Sequence, residues 1–91
     1  MGVLEMNYMQ MKALKLGDIV YQKAGKAHGS DQDMGPLCVV LAITARGGIL
    51  LADTLTNARY WSPYQRLYLY PAAEAHKALL WRRVGFSPPL N

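Results

Sequence analysis

The feature that most constrains this chain is a pair of apolar runs joined by a four-residue turn. Leu37 to Thr44 is apolar at almost every position, Ala45-Arg46-Gly47-Gly48 supplies residues that accept a positive φ, and Ile49-Leu50-Leu51-Ala52-Asp53-Thr54 returns. Such a run is a β-hairpin. It is hydrophobic on both faces, because Leu37, Val39, Leu41 and Ile43 alternate with Cys38, Val40, Ala42 and Thr44, whereas a strand with one wet face alternates apolar with polar. The hairpin must therefore be covered on both sides, by the C-terminal segment or by a second copy of the chain.

The rest of the strands follow from turn chemistry. Leu16-Gly17-Asp18 opens the β-branched and aromatic run Ile19-Val20-Tyr21-Gln22-Lys23. Residues 24–36, AGKAHGSDQDMGP, form the longest loop. Leu55-Thr56-Asn57-Ala58 makes a second tight turn, with Asn57 suited to a left-handed backbone, and leads into Arg59-Tyr60-Trp61-Ser62. Pro63 starts a 3₁₀ turn through Arg66, and Leu67-Tyr68-Leu69-Tyr70 alternates with period two, its leucines inward. From Ala72 to Val84 the residues are good helix formers, with Arg82 and Arg83 in the last turn and Gly85 beyond it.

The order of elements predicts a mainly β fold, a five-stranded SH3-like barrel with a C-terminal α-helix. The divisions are a loosely ordered N-terminal arm (1–14), the barrel (15–71), a helix packed on the barrel or on a partner (72–85) and an extended proline-containing tail (86–91). Ninety-one residues suit one small core, and hydrophobic residues at 52% against 18% charged exclude a disordered composition. Cys38, the only cysteine, lies in an apolar run and reads as a small hydrophobe, which leaves no intrachain disulfide or cysteine-rich zinc site. Neither a signal peptide nor an uninterrupted apolar span is apparent, so the expected setting is cytoplasmic, with no membrane partner.

Two likenesses attach to these residues. Leu16-Gly17-Asp18-Ile19-Val20, a Gly-rich loop and Gly35-Pro36-Leu37-Cys38-Val39-Val40 resemble the opening of KOW-type domains, small barrels of ribosomal and transcription-elongation proteins. Gly17-Asp18, Val20, Lys23 and Gly25, with Leu69-Tyr70-Pro71, resemble the plasmid-borne type II dihydrofolate reductases, which are tetrameric SH3-like barrels. Tyr68 stands where that family's segment has its pore-lining glutamine, and Gln22 replaces one of its paired lysines. The resemblance thus implies the barrel and oligomerisation, and no reductase activity.

Candidate chemistry is sparse. Asp31-Gln32-Asp33 lacks the continuing ligands of a calcium loop, and His28, Ser30 and Asp33 have the residue types of a hydrolytic triad with nothing that marks an oxyanion hole. His76 reads as a boundary residue of the helix. No catalytic residue, metal site or cofactor is assigned. The stretch Ala58–Tyr70 is more informative, since it holds five of the nine aromatic rings, Tyr60, Trp61, Tyr64, Tyr68 and Tyr70. With Trp61 turned into the core, Tyr60, Tyr64 and Tyr68 face outward beside Arg59, Arg66 and Lys23. A net charge of +4 suits such a surface to polyanions.

The expected function is a non-enzymatic binding or adaptor module. Its aromatic and basic face takes nucleic acid or a protein of a nucleic-acid machine. Two alternatives draw on the same features: a homo-oligomer, joined through strands 37–54 or helix 72–85, that binds a small planar ligand at its interface, and a module for proline-rich segments.

Overall fold

The computed structural model describes residues 4–23 and 34–88, with the side chains of Leu4, Glu5, Lys23 and Met34 left outside the description. The chain order is β1 (Leu4–Glu5), α1 (Tyr8–Ala13), β2 (Ile19–Lys23), β3 (Met34–Ile43), β4 (Gly48–Asp53), β5 (Arg59–Pro63), a 3₁₀ turn (Tyr64–Arg66), β6 (Leu67–Tyr70) and α2 (Glu74–Val84). All strand pairs are antiparallel and lie in one sheet of order β1-β6-β2-β3-β4-β5.

Both predicted tight turns form as their residues dictate. In the β3–β4 turn Gly47 takes φ +90°, the Gly47 amide donates to the Thr44 carbonyl (3.1 Å) and the Gly48 amide to Thr44 Oγ1 (2.9 Å). In the β4–β5 turn Asn57 takes φ +62°, while Asp53 Oδ1 accepts from the Leu55 and Thr56 amides at 2.7 and 3.2 Å. A carboxylate that satisfies two turn amides explains why a buried acid is tolerated at this position.

The sheet separates two apolar clusters. On one face Val20, Cys38, Val40, Ile49, Leu51 and Leu67 are buried together with Met6, Met11 and Leu14. On the other, Ile19, Val39 and Ala52 are covered by Leu80 and Val84 of α2. The double-faced hydrophobicity of β3 and β4 thus has its cover within the same chain. Leu37, Val39 and Leu41 share the α2 face, but a bulge between Val40 and Ala42 adds one residue and sends Ile43 to the other cluster. One extra residue reverses the parity of everything after it.

Helix α2 is held at three places. Trp81 Nε1 donates to the Gly17 carbonyl (2.6 Å), Lys77 Nζ lies 3.4 Å from Asp18 Oδ1, and Arg59 Nη2 donates to the Val84 carbonyl (2.9 Å). Its end is a Schellman cap: Gly85 takes φ +71°, the Phe86 amide donates to the Trp81 carbonyl (2.8 Å), and the two rings meet at 5.9 Å.

One expectation is revised. The arm of residues 1–14 holds β1 and α1, the latter opened by a capping box in which the Asn7 side chain accepts from the Gln10 amide (2.8 Å) and Gln10 Oε1 from the Asn7 amide (3.0 Å). Met6, Met11 and Leu14, which show no regular period in sequence, are the residues that fill the open side of the first cluster. The expected mainly β fold with a C-terminal helix is present, as one open sheet among the described residues. Its edges are β1 and β5, and no ladder joins them among the described residues. The 3₁₀ turn carries the chain from β5 to β6 across the gap, and Pro63 removes a donor at the end of β5.

Candidate functional site

The predicted aromatic and basic face is divided by the register of β5. Leu51 pairs with Tyr60, Ile49 with Ser62 and Leu50 with Trp61. Because Ile49 and Leu51 point into the first cluster, Tyr60 and Ser62 point there too, and Trp61 turns out with 57% of its surface exposed. The assumption that the largest ring would be the buried one reversed the parity of the strand.

The candidate residues therefore take different roles. Tyr60 is half-buried against the core, and its hydroxyl lies 3.3 Å from Cys38 Sγ. Burial, then the contact with the thiol, raises the Tyr60 pKa far above the ordinary phenol value; burial likewise raises that of Cys38. Both groups are held in their neutral, protonated forms, which suits packing rather than nucleophilic chemistry. Arg59 is exposed but bound to the end of α2. Arg66 is exposed at the end of the 3₁₀ turn, and Lys23 ends β2 opposite Met34.

Tyr68 lies on the α2 side of the sheet, directly opposite Tyr21. It belongs to an aromatic row in which Tyr21 and Tyr70 meet edge to face at 5.1 Å and Tyr70 meets His76 of α2 at 5.9 Å. These half-buried rings join sheet to helix, and His76 is a member of that joint.

A grouping of rings and cations that includes the expected Tyr64 lies at the α1 end of the sheet, joined there by residues of the N-terminal segment. Tyr64 packs over Gly47 in the β3–β4 turn and meets Tyr8 of α1 with ring centroids 6.2 Å apart, tilted by 60°. Tyr8 is 52% exposed, and Lys12 Nζ sits 5.5 Å from its ring centroid, one helical turn on. Beside them opens a cleft of about 450 Å³ lined by Tyr8, Met11, Lys12, Leu14, Ile43 and Thr44. Arg46 is exposed in the adjoining turn. The spacing Tyr8-x-x-x-Lys12 was the available signal, hidden because only methionines marked the surrounding helix.

Three carboxylates have described side chains, and two serve the fold. Asp53 caps the β4–β5 turn, while Asp18 accepts from the Lys15 amide (2.8 Å) and faces Lys77. The third, Glu74, is 3.7 Å from Lys77 on α2. The cations at the α1 end thus have no described carboxylate among their ion-pair partners. Among the described residues no group of three metal-ligating side chains occurs and no helix is long and apolar enough to cross a membrane. The Asp31-Gln32-Asp33 and His28, Ser30, Asp33 sets lie outside the described residues. Comparison of the chain with protein-family models, curated proteins and solved structures finds no match.

Proposed function

We propose that this chain is a non-enzymatic binding module, built on a small SH3-like barrel, that holds single-stranded nucleic acid at its α1 end. The barrel reading is supported by the strand order β6-β2-β3-β4-β5, by the 3₁₀ turn before the last strand, and by the cluster enclosed beneath Met6, Met11 and Leu14. The binding reading rests on one observation, the half-exposed Tyr8 ring with Lys12 beside it and Tyr64 against it, next to an open cleft.

A base stacked on Tyr8 gains about 1–3 kcal/mol from the ring, and Lys12, Arg46 and Arg66 supply phosphate contacts around it. Three such contacts on a single strand give log K a slope of about −2 against log salt. The test is fluorescence anisotropy with a labelled short oligothymidylate across a salt series. Tyr8→Ala is expected to weaken binding by roughly 5- to 150-fold. Lys12→Ala and Arg46→Ala are each expected to flatten the slope by about 0.7. Affinity insensitive to all three substitutions refutes the assignment.

Helix α2 buries Ile19, Val39 and Ala52 within the chain itself, so that surface needs no second copy to cover it.

A further inference from the structure

Among the described residues the outer edge of β5 is unpaired. Its backbone polarity follows from the neighbouring hydrogen bonds. The Ala58 carbonyl accepts from the Asp53 amide (2.8 Å) and the Tyr64 amide donates to the Gly47 carbonyl (3.0 Å), so the even-numbered residues between them aim their backbone groups at β4. By the alternation of an antiparallel strand, Arg59, Trp61 and Pro63 aim theirs away from the sheet. That edge offers the N–H donors and carbonyls of Arg59 and Trp61, since proline has no N–H and the Pro63 carbonyl already accepts from Ser62 Oγ (3.2 Å) at the start of the 3₁₀ turn. The side chains of Arg59, Trp61 and Pro63 are all exposed, on the same face of the strand as one another.

Natural sheets blunt such edges with charge and proline, and β5 carries Arg59 and Pro63 at its two ends while Trp61 between them is left half-exposed. Self-pairing fits it poorly. Two copies of β5 paired antiparallel about Trp61 would set Arg59 of each copy opposite Pro63 of the other, leaving both Arg59 carbonyls without a donor. They would also bring together two chains of net charge +4.

Charge complementarity selects the occupant. Arg59 reaches the Val84 carbonyl, which brings the start of β5 against the last turn of α2, where Arg82 and Arg83 are exposed. The carboxylate of Asp53, the nearest in sequence, is occupied by the turn amides. We infer that the β5 edge takes an extended acidic peptide as an added antiparallel strand, with an apolar residue opposite Trp61 and a glutamate or aspartate two residues later, opposite Arg59. Main-chain hydrogen bonds would hold the peptide, and the two side-chain positions would select it.

The test uses the full chain and a fluorescein-labelled peptide of sequence Thr-Val-Thr-Val-Thr-Glu-Thr-Glu, followed by anisotropy. Saturable binding is expected. N-methylation of the peptide amides that face β5 should abolish it, while methylation of the alternate amides should leave it within about twofold. Replacing both glutamates by glutamine is expected to weaken binding roughly tenfold. Trp61→Thr, a strand-compatible change whose folding is checked by circular dichroism, is expected to weaken it several-fold. Absence of binding at millimolar peptide, equal effects of the two methylation patterns, or sedimentation showing that a dimer through β5 already occupies the edge would each overturn the inference.

Discussion

Gly47 supports the Tyr8–Tyr64 pair, and substituting it measures how firmly the Tyr64 ring is seated. At φ +90°, an alanine there adopts a conformation that costs an L-residue about 1–2 kcal/mol. Its Cβ would also stand 2.6 Å from Tyr64 Cδ1 and 3.0 Å from Cε1. Overfilling a packed site costs about 1–3 kcal/mol more. Gly47→Ala should therefore destabilise the fold by about 2–5 kcal/mol. Gly85 is the internal control, with φ +71° and nothing within 4 Å of an added Cβ, so Gly85→Ala should cost only about 1–2 kcal/mol.

Urea unfolding followed by far-UV circular dichroism reads both, and each kcal/mol corresponds to about 4–8 °C in Tm for a domain of this size. In a Tyr64→Ala background the cost of Gly47→Ala should fall to that of Gly85→Ala, because the double-mutant cycle removes the steric part. A Gly47→Ala variant no costlier than Gly85→Ala, or one equally costly without the Tyr64 ring, would refute the packing described.

Further outcomes follow from the same contacts. Trp81→Phe deletes the donor to the Gly17 carbonyl and should cost about 1–2 kcal/mol in urea unfolding while leaving the far-UV spectrum unchanged. Because the Cys38 and Tyr60 pKa values are both raised in the folded state, their stabilising effect is complete below the unfolded values, about 8.5 for the thiol and about 10 for the phenol, and is lost as pH rises through the folded ones. The urea midpoint should thus decline above about pH 8.5, and Tyr60→Phe should soften the decline above about pH 10. Cys38 is fully buried, so native protein should react with a thiol reagent only at the rate of opening, and rapid labelling without urea would contradict the packing. Lys77→Ala should change stability by less than about 1 kcal/mol, since its partners are partly solvated.

Much of the sheet was legible because its signals are local. Gly47 and Asn57 mark turns through the backbone conformations they accept, Pro63 marks the 3₁₀ turn, and the double-faced apolarity of β3 and β4 required a cover, which α2 supplies. What escaped was decided by pairing. Whether Tyr60 or Trp61 faces the core depends on the register between β4 and β5, and an alternation of aromatic residues is equally apolar in either parity. The Val40–Ala42 bulge leaves no mark in a run where every residue is hydrophobic. For α1, six residues are too few for a period to show, so Asn7 and Gln10 were the only local sign of a helix start. Of the candidate site, Tyr64 and Arg66 are legible in the aromatic stretch, whereas Tyr8 and Lys12 come from that short helix, far from Tyr64 along the chain, and are not.

The most direct test of the central claim is a titration of isotope-labelled protein with a short oligothymidylate at low salt, followed by backbone and side-chain NMR shifts. Binding at the α1 end predicts the largest changes at Tyr8, Lys12, Arg46 and Tyr64, with reversal on added salt and little change around Trp61. A spectrum unmoved by the oligonucleotide, or one whose changes gather on β5 or on the Tyr21 and Tyr70 row, would contradict it.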